Sequence, residues 1–268
     1  MYKGELLGLY NYFRDKEHVF IYSVCGRSSS TALQRILNSS GKICVYGEPH
    51  YLSDKFIDAI KHMKWMNQDP MFAENYRLMK QAFQQQNHSL AYANAMPQLD
   101  KHINLMASLL CDIFKPLNKV DRFGFKDIRI QSSRTLKGLT ELFPKSHIIF
   151  LFRNPLKQWP SVRDIDWWDY SRDIHLFLRE YKRMSDIYLD HLATDENSFF
   201  IHNRSLYDKD KVRTLIQNLG LGGYDNGLIG DKVLSAKKKG LSLEEENTIK
   251  KSEAWKNYNK MLGFCYLG

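Results

Sequence analysis

At residues 26–31 the chain reads Gly26-Arg27-Ser28-Ser29-Ser30-Thr31, one guanidinium followed by four consecutive hydroxyls. Such groups hold a phosphate-type anion, above all at a helix N-terminus, where free N–H groups and the helix dipole favour negative charge. Ser and Thr also stand before helices as simple N-caps, but a cap needs one hydroxyl. Four in a row behind Gly-Arg point to anion binding. The stretch is not a Walker A loop, because no Gly-Lys-[Ser/Thr] follows a Gly at the required distance, so an ordinary Mg²⁺-ATP or GTP site is disfavoured.

Two groups able to handle a proton follow, Glu48 and His50, in Gly47-Glu48-Pro49-His50. Further on, Asp164-Ile165-Asp166-Trp167-Trp168-Asp169-Tyr170 interleaves carboxylates with aromatics, a mixture suited to a flat or cationic small molecule through cation–π and charge contacts. The same residues would equally make an aromatic core patch with acidic caps. Asp166, Trp167 and Trp168 are the candidate acceptor contacts. His62, His88 and His102 lack His-x₃-His spacing and read as surface or core residues rather than metal ligands.

The elements that must position these groups follow from periodicity. Val19 to Val24 is an apolar, β-branched and aromatic run ending near a Gly, and Leu33, Ile36 and Leu37 then recur at helical spacing. The loop therefore joins a buried strand to a helix. Short strands are expected at Lys42–Tyr46, Arg122–Arg129, His147–Phe152 and Ser198–His202, with the third running straight into Arg153-Asn154-Pro155. A helix is expected from Val212 to Leu219, stopped by Gly220. Residues from about 54 to 118 are helical in pattern, with breaks at Asp69-Pro70 and Met96-Pro97, and are expected to pack on the sheet and partly cover an acceptor pocket. Strands alternating with helices predict a three-layer α/β/α fold around a central parallel sheet. In such sheets ligands collect at the carboxyl ends of the strands.

A chain of 268 residues, 43% hydrophobic, suits one large α/β domain, here taken as residues 1–268. Its 39 Lys and Arg against 30 Asp and Glu give +9, which suits an anionic ligand or partner: a nucleotide, a nucleic acid or a membrane surface. Cys25, Cys44, Cys111 and Cys265 have no CxxC spacing and read as reduced thiols of a cytosolic compartment, with no zinc site. No apolar signal core or membrane span is visible, so a soluble, cytoplasmic protein is expected.

Together, the 26–31 loop, Gly47-Glu48, and Arg153-Asn154-Pro155 with Ser161 eight positions after the Arg resemble the sulfotransferases that use 3′-phosphoadenosine 5′-phosphosulfate (PAPS). The resemblance covers residues 19–50 and 122–165 well and the rest weakly. It implies a P-loop-like fold in which Gly26, Arg27, Ser28, Ser29, Ser30 and Thr31 cradle the 5′-phosphosulfate, while Arg153 and Ser161 grip the 3′-phosphate. It also implies that the product is adenosine 3′,5′-bisphosphate and that no metal is required. Arg27 then stabilises the transition state and Glu48 acts as general base for a small-molecule hydroxyl or amine, with His50 the local rival. Lys238-Lys239-Gly240 is similar to the family's late Lys-Gly signature, although a solvated charge run reads the same way.

The sequence departs from the family in three places. Ser29 stands where Gly usually follows Arg-Ser, Asn203-Arg204-Ser205-Leu206 replaces a Tyr-Glu-Asp-Leu segment, and Pro160 precedes Ser161 and would break or restart a helix. The rival classes are a P-loop-like small-molecule or nucleotide kinase, which needs Mg²⁺ ligands and a loop Lys, and a non-catalytic nucleic-acid-binding protein, which needs a recognition motif. Neither pattern is present, so no nucleic-acid or membrane partner is expected.

Overall fold

The computed structural model describes residues 3–84, 99–116, 120–128, 130–166, 168–229 and 240–267. In chain order its elements are α1 (Lys3–Arg14), β1 (Val19–Ser23), α2 (Ser30–Ser39), β2 (Cys44–Tyr46), α3 (Leu52–Gln68), α4 (Pro70–Gln84), α5 (Asp100–Ile113) and β3 (Phe123–Asp127). Then come α6 (Ser133–Leu142), β4 (His147–Phe152), α7 (Pro155–Val162), α8 (Ile174–Leu192), β5 (Ser198–His202), α9 (Lys209–Asn218), α10 (Leu243–Lys251) and α11 (Glu253–Gly263). Short 3₁₀ turns occupy Asp169–Ser171, Asn203–Tyr207 and Asn226–Leu228.

All strand pairs are parallel, in the order β2-β3-β1-β4-β5. Successive side chains of a strand point to opposite faces. Phe20, Tyr22, Phe123, Phe125, Phe150, Phe152 and Phe200 therefore meet residues of α1, α3, α5, α6, α8 and α11 on one side. On the other, Val19, Ile21, Val45, Ile149, Leu151 and Ile201 meet α2 and α9 through Leu33, Ile36, Leu37, Val212, Leu215 and Ile216. Both faces are buried, which is why the central strands read as continuous apolar runs. Each fully buried Leu, Ile or Phe contributes about 1.5–3 kcal/mol, and these two cores hold the three expected layers together.

Two prolines act differently. Pro70 starts α4, where its missing N–H costs nothing. Pro160 was expected to interrupt its helix, yet α7 runs through it to Val162. Pro155 occupies the first turn, the Asn154 side chain caps it by accepting from the Leu156 N–H at 2.8 Å, and Pro160 falls in the final turns, where the helix is about to end. The Met96-Pro97 break lies outside the described residues.

Buried His18 ties the sheet to α1. Its Nε2 donates to the Phe13 carbonyl at 2.8 Å, and its Nδ1 accepts from the Phe123 N–H at 3.1 Å, a pairing that only the neutral Nε2–H tautomer satisfies. At the far edge of the sheet the Tyr266 N–H donates to the Phe200 carbonyl at 2.9 Å, so the C-terminal segment covers part of β5.

Candidate active site

β1 lies between β3 and β4, with Tyr22 opposite both Asp127 and Phe150. The loop leaving β1 thus emerges between the ends of β3 and β4, the carboxyl edge where parallel sheets bind ligands. Cys25 (φ 58°), Arg27 (φ 64°) and Ser29 (φ 76°) are all left-handed, although none is Gly. Each such residue is costly, and a run of alternating left-handed positions turns successive N–H groups into one concavity suited to an anion. Ser29 keeps the backbone conformation that Gly would take more easily.

What holds this strained loop is visible. Gln158 Nε2 donates to the carbonyls of Val24 (2.8 Å) and Gly26 (2.6 Å), and Arg153 Nη1 donates to the Arg27 carbonyl at 2.9 Å. The Gly26 N–H donates to Tyr170 Oη at 3.0 Å, and the Cys25 N–H to Met184 Sδ at 3.2 Å. α2 then begins at Ser30, and Ser29, its N-cap residue, makes no side-chain cap. Ser28 Oγ and Arg27 Nε are buried with no hydrogen-bond partner. The hydroxyls are therefore not consumed by capping, and buried donors of this kind are expensive unless something accepts from them. Ser30 is buried and Thr31 exposed on the first turn of α2.

On the β2 and β3 side, Lys126 Nζ is 2.9 Å from Glu48 Oε1, with both side chains mostly sheltered. Glu48 is thus held at the sheet edge by a cation carried on β3. His50 is exposed in a left-handed turn (φ 48°) before α3.

On the β4 and β5 side, burial lowers the Arg153 pKa, with the nearby Arg27 charge adding to the fall and Tyr207 opposing it. Ser161 lies on α7, half-buried. His202, at the end of β5, is pulled down to about 4 by burial and then by the charges of Arg204, Lys211 and Arg153. This concentration of positive charge was not legible, because its members come from β4, β5 and α9. Of its members the sequence reading named Arg153, while Arg204 stood only within the segment replacing the family's Tyr-Glu-Asp-Leu and Lys211 was not singled out.

His18 is likewise pulled down to about 4, chiefly by burial. Both rings are neutral when folded and titrate near 6.5 when unfolded. The stability they carry is complete above pH 6.5 and is lost as pH falls toward 4. For fully buried His18 the loss approaches about 1.4 kcal/mol per pH unit across that window. Urea unfolding at pH 7.5 and pH 5 should show the lower midpoint at pH 5; equal midpoints would remove the neutral, doubly bonded His18 from the account of the core.

Beside the loop lies a cleft of about 390 Å³ lined by Tyr51, Ile128, Trp168, Asp169, Tyr170, Leu176, Arg179 and Glu180. Trp168 is where the sequence motif placed an acceptor contact. Asp166 is exposed and not part of this lining, and Trp167, Lys238 and Lys239 lie outside the described residues. Tyr51, Arg179 and Glu180 were missed because they come from the start of α3 and from α8, far from the motif in sequence. A larger hollow of about 540 Å³ runs along α10, lined by Leu243, Glu244, Asn247, Thr248 and Lys251; neither lining includes residues 26–31 or Glu48, but Trp168 and Tyr170 of the smaller cleft touch Gly26.

Among the described residues no group of three or more His, Cys, Asp or Glu side chains is placed to hold a metal ion, and no helix is long and apolar enough to cross a membrane. All four cysteines are free thiols.

The fold is thus a parallel α/β sheet with an arginine- and hydroxyl-lined loop at its carboxyl edge. The chain belongs to the sulfotransferase family, whose family model matches residues 19–205, and family membership supports sulfuryl transfer in general. Among solved structures it is similar to the sulfotransferase domain from the curacin biosynthetic pathway, at 16% identity over 94% of this chain and 99% of that one, with a TM-score of 0.49. It is also similar to the sulfotransferase domain from the Synechococcus PCC 7002 olefin synthase, at 14% identity over 87% and 93%, with a TM-score of 0.43. No curated protein matches.

Proposed function

We propose that the chain transfers a sulfuryl group from PAPS to a hydroxyl or amine of a small-molecule acceptor, with Glu48 as general base. The observation that carries this reading is the pair of buried, partnerless donors, Arg27 Nε and Ser28 Oγ, inside a loop of alternating left-handed residues. These residues fit an anionic donor. When bound, the donor supplies an activated sulfuryl group whose transfer leaves adenosine 3′,5′-bisphosphate.

Arg27 and the loop N–H groups stabilise the negative charge that develops on the leaving oxygen, a preorganised electrostatic role that needs no metal. Arg153 and Ser161 hold the 3′-phosphate. Glu48 takes the proton that the acceptor loses as it attacks, and Lys126 keeps the carboxylate in place at 2.9 Å. Lys238 and Lys239 remain candidates for further donor contacts. The whole chain acts as one sulfotransferase domain, with Tyr51 bringing the helical region to the cleft edge.

Calorimetry with adenosine 3′,5′-bisphosphate, AMP and Mg²⁺-ATP tests this. The bisphosphate should bind without metal, and at 100 times its Kd should stabilise the fold by about 2.7 kcal/mol. Arg153→Ala should weaken the bisphosphate far more than AMP. Equal affinity of the native chain for bisphosphate and AMP would remove the 3′-phosphate site, and tighter binding of Mg²⁺-ATP would favour a kinase.

A further inference from the structure

The cleft beside the loop has flat walls. Trp168 and Tyr170 stack with ring centroids 5.5 Å apart and planes 21° apart, and Tyr51, Ile128 and Leu176 complete an aromatic and aliphatic lining. At about 390 Å³ it is at the small end of ligand pockets, large enough for one ring and a short substituent.

This wall is part of the anion loop's own support. A Cβ built on Gly26 would come within 1.9 Å of the tip of the Trp168 ring, so Gly26 leaves the space that the indole fills. The Gly26 N–H also donates to Tyr170 Oη at 3.0 Å. A ring lying against Trp168 and Tyr170 would therefore sit directly beside the residues that support Arg27.

The charges of the lining decide what that ring carries. Glu180 is engaged by Arg183 through two hydrogen bonds of 2.8 and 2.7 Å, and Asp169 is 3.6 Å from Arg172. Among the described residues Arg179 has no carboxylate partner. Glu180 is thus already matched and solvent-exposed Asp169 faces Arg172, whereas one guanidinium of the lining has no such partner. Guanidinium groups bind carboxylates and related oxyanions through paired, charge-assisted hydrogen bonds.

We propose that this cleft is the acceptor site and that it takes a planar aromatic alcohol carrying an anionic substituent, with Trp168 and Tyr170 against the ring and Arg179 on the anion. The assignment rests on the sulfuryl-transfer reading. It selects an anionic ring where the Asp164–Tyr170 motif, taken alone, also admits a cationic one.

Three phenols that share a ring and differ in charge test it: 4-hydroxyphenylacetate, 4-ethylphenol and tyramine. Their affinities are measured by calorimetry on the full chain saturated with adenosine 3′,5′-bisphosphate. The anionic phenol should bind about tenfold tighter than the neutral one, as expected for a hydrogen bond to a charged group, with tyramine weakest. Exposed Arg179 can be changed with little risk to folding, and Arg179→Gln should erase the anionic advantage while leaving 4-ethylphenol unchanged. Trp168→Leu should weaken all three by a similar factor.

Equal affinities, tyramine binding tightest, or an ordering that survives Arg179→Gln would overturn the proposal. So would the absence of any phenol binding to the bisphosphate-saturated chain. Failure of the bisphosphate itself to bind would overturn the donor reading along with this one, which separates the two failures.

Discussion

Glu48→Gln is expected to lower kcat by about 10²–10⁴ while adenosine 3′,5′-bisphosphate still binds normally, since that is the usual cost of losing a positioned general base. Gln is the informative replacement. It keeps the shape of the side chain and leaves Lys126 an oxygen to donate to, so the 2.9 Å contact has a neutral substitute and Lys126 is not stranded in its sheltered position. What Gln cannot do is accept the acceptor's proton. The parallel variant is His50→Ala, which removes an exposed imidazole from a left-handed turn and should leave kcat within a few-fold of the native value. Once an acceptor is in hand, sulfuryl transfer from PAPS is followed for both variants. Should Glu48→Gln retain most activity while His50→Ala abolishes it in a folded protein, the imidazole is the base and Glu48 only anchors Lys126.

How far the sequence showed this site depends on which residues are considered. β4 and β5 have the bounds expected of them, His147–Phe152 and Ser198–His202, because strands buried on both faces are continuous apolar runs with sharp ends. The strands expected at 42–46 and 122–129 are shorter, Cys44–Tyr46 and Phe123–Asp127. The 26–31 loop stood out by composition but not by shape. The left-handed positions in and just before it are Cys, Arg and Ser, which carry no conformational signature comparable to Gly, and they are held by Gln158, Arg153 and Tyr170 from much later in the chain.

The Lys126–Glu48 contact was illegible for a topological reason. It forms because β3 sits between β2 and β1, and strand order is a property of the whole sheet rather than of any stretch. Gly26 is the sharpest case. The sequence offers it as the Gly behind the first strand and a member of the 26–31 loop, whereas the structure requires it because Trp168 occupies the space its side chain would take.

Arg27→Ala is expected to lower kcat by about 10²–10³, the range for loss of a preorganised donor at developing charge, and to weaken donor binding by on the order of 10- to 100-fold. The geometry separates this from simple damage to the loop. Ala at a left-handed position is strained as Arg is, so the backbone cost is little changed, and the contact from Arg153 is made to the Arg27 carbonyl, which any residue supplies. The charge is what disappears. In the protein alone the two guanidiniums oppose each other, the Arg27 charge adding to the burial that lowers the Arg153 pKa. Removing Arg27 therefore relieves repulsion in the free protein while removing attraction in the donor complex.

The melting temperature of free Arg27→Ala should accordingly match or exceed that of the native chain, and the extra stability conferred by adenosine 3′,5′-bisphosphate should fall sharply. Arg27→Lys refines the test, because it restores a charge without the planar fork and should recover donor affinity more fully than kcat. A variant that melts early, with kcat per folded molecule within a few-fold of native, would show that Arg27 serves the fold of the loop and that the transition-state charge is met elsewhere.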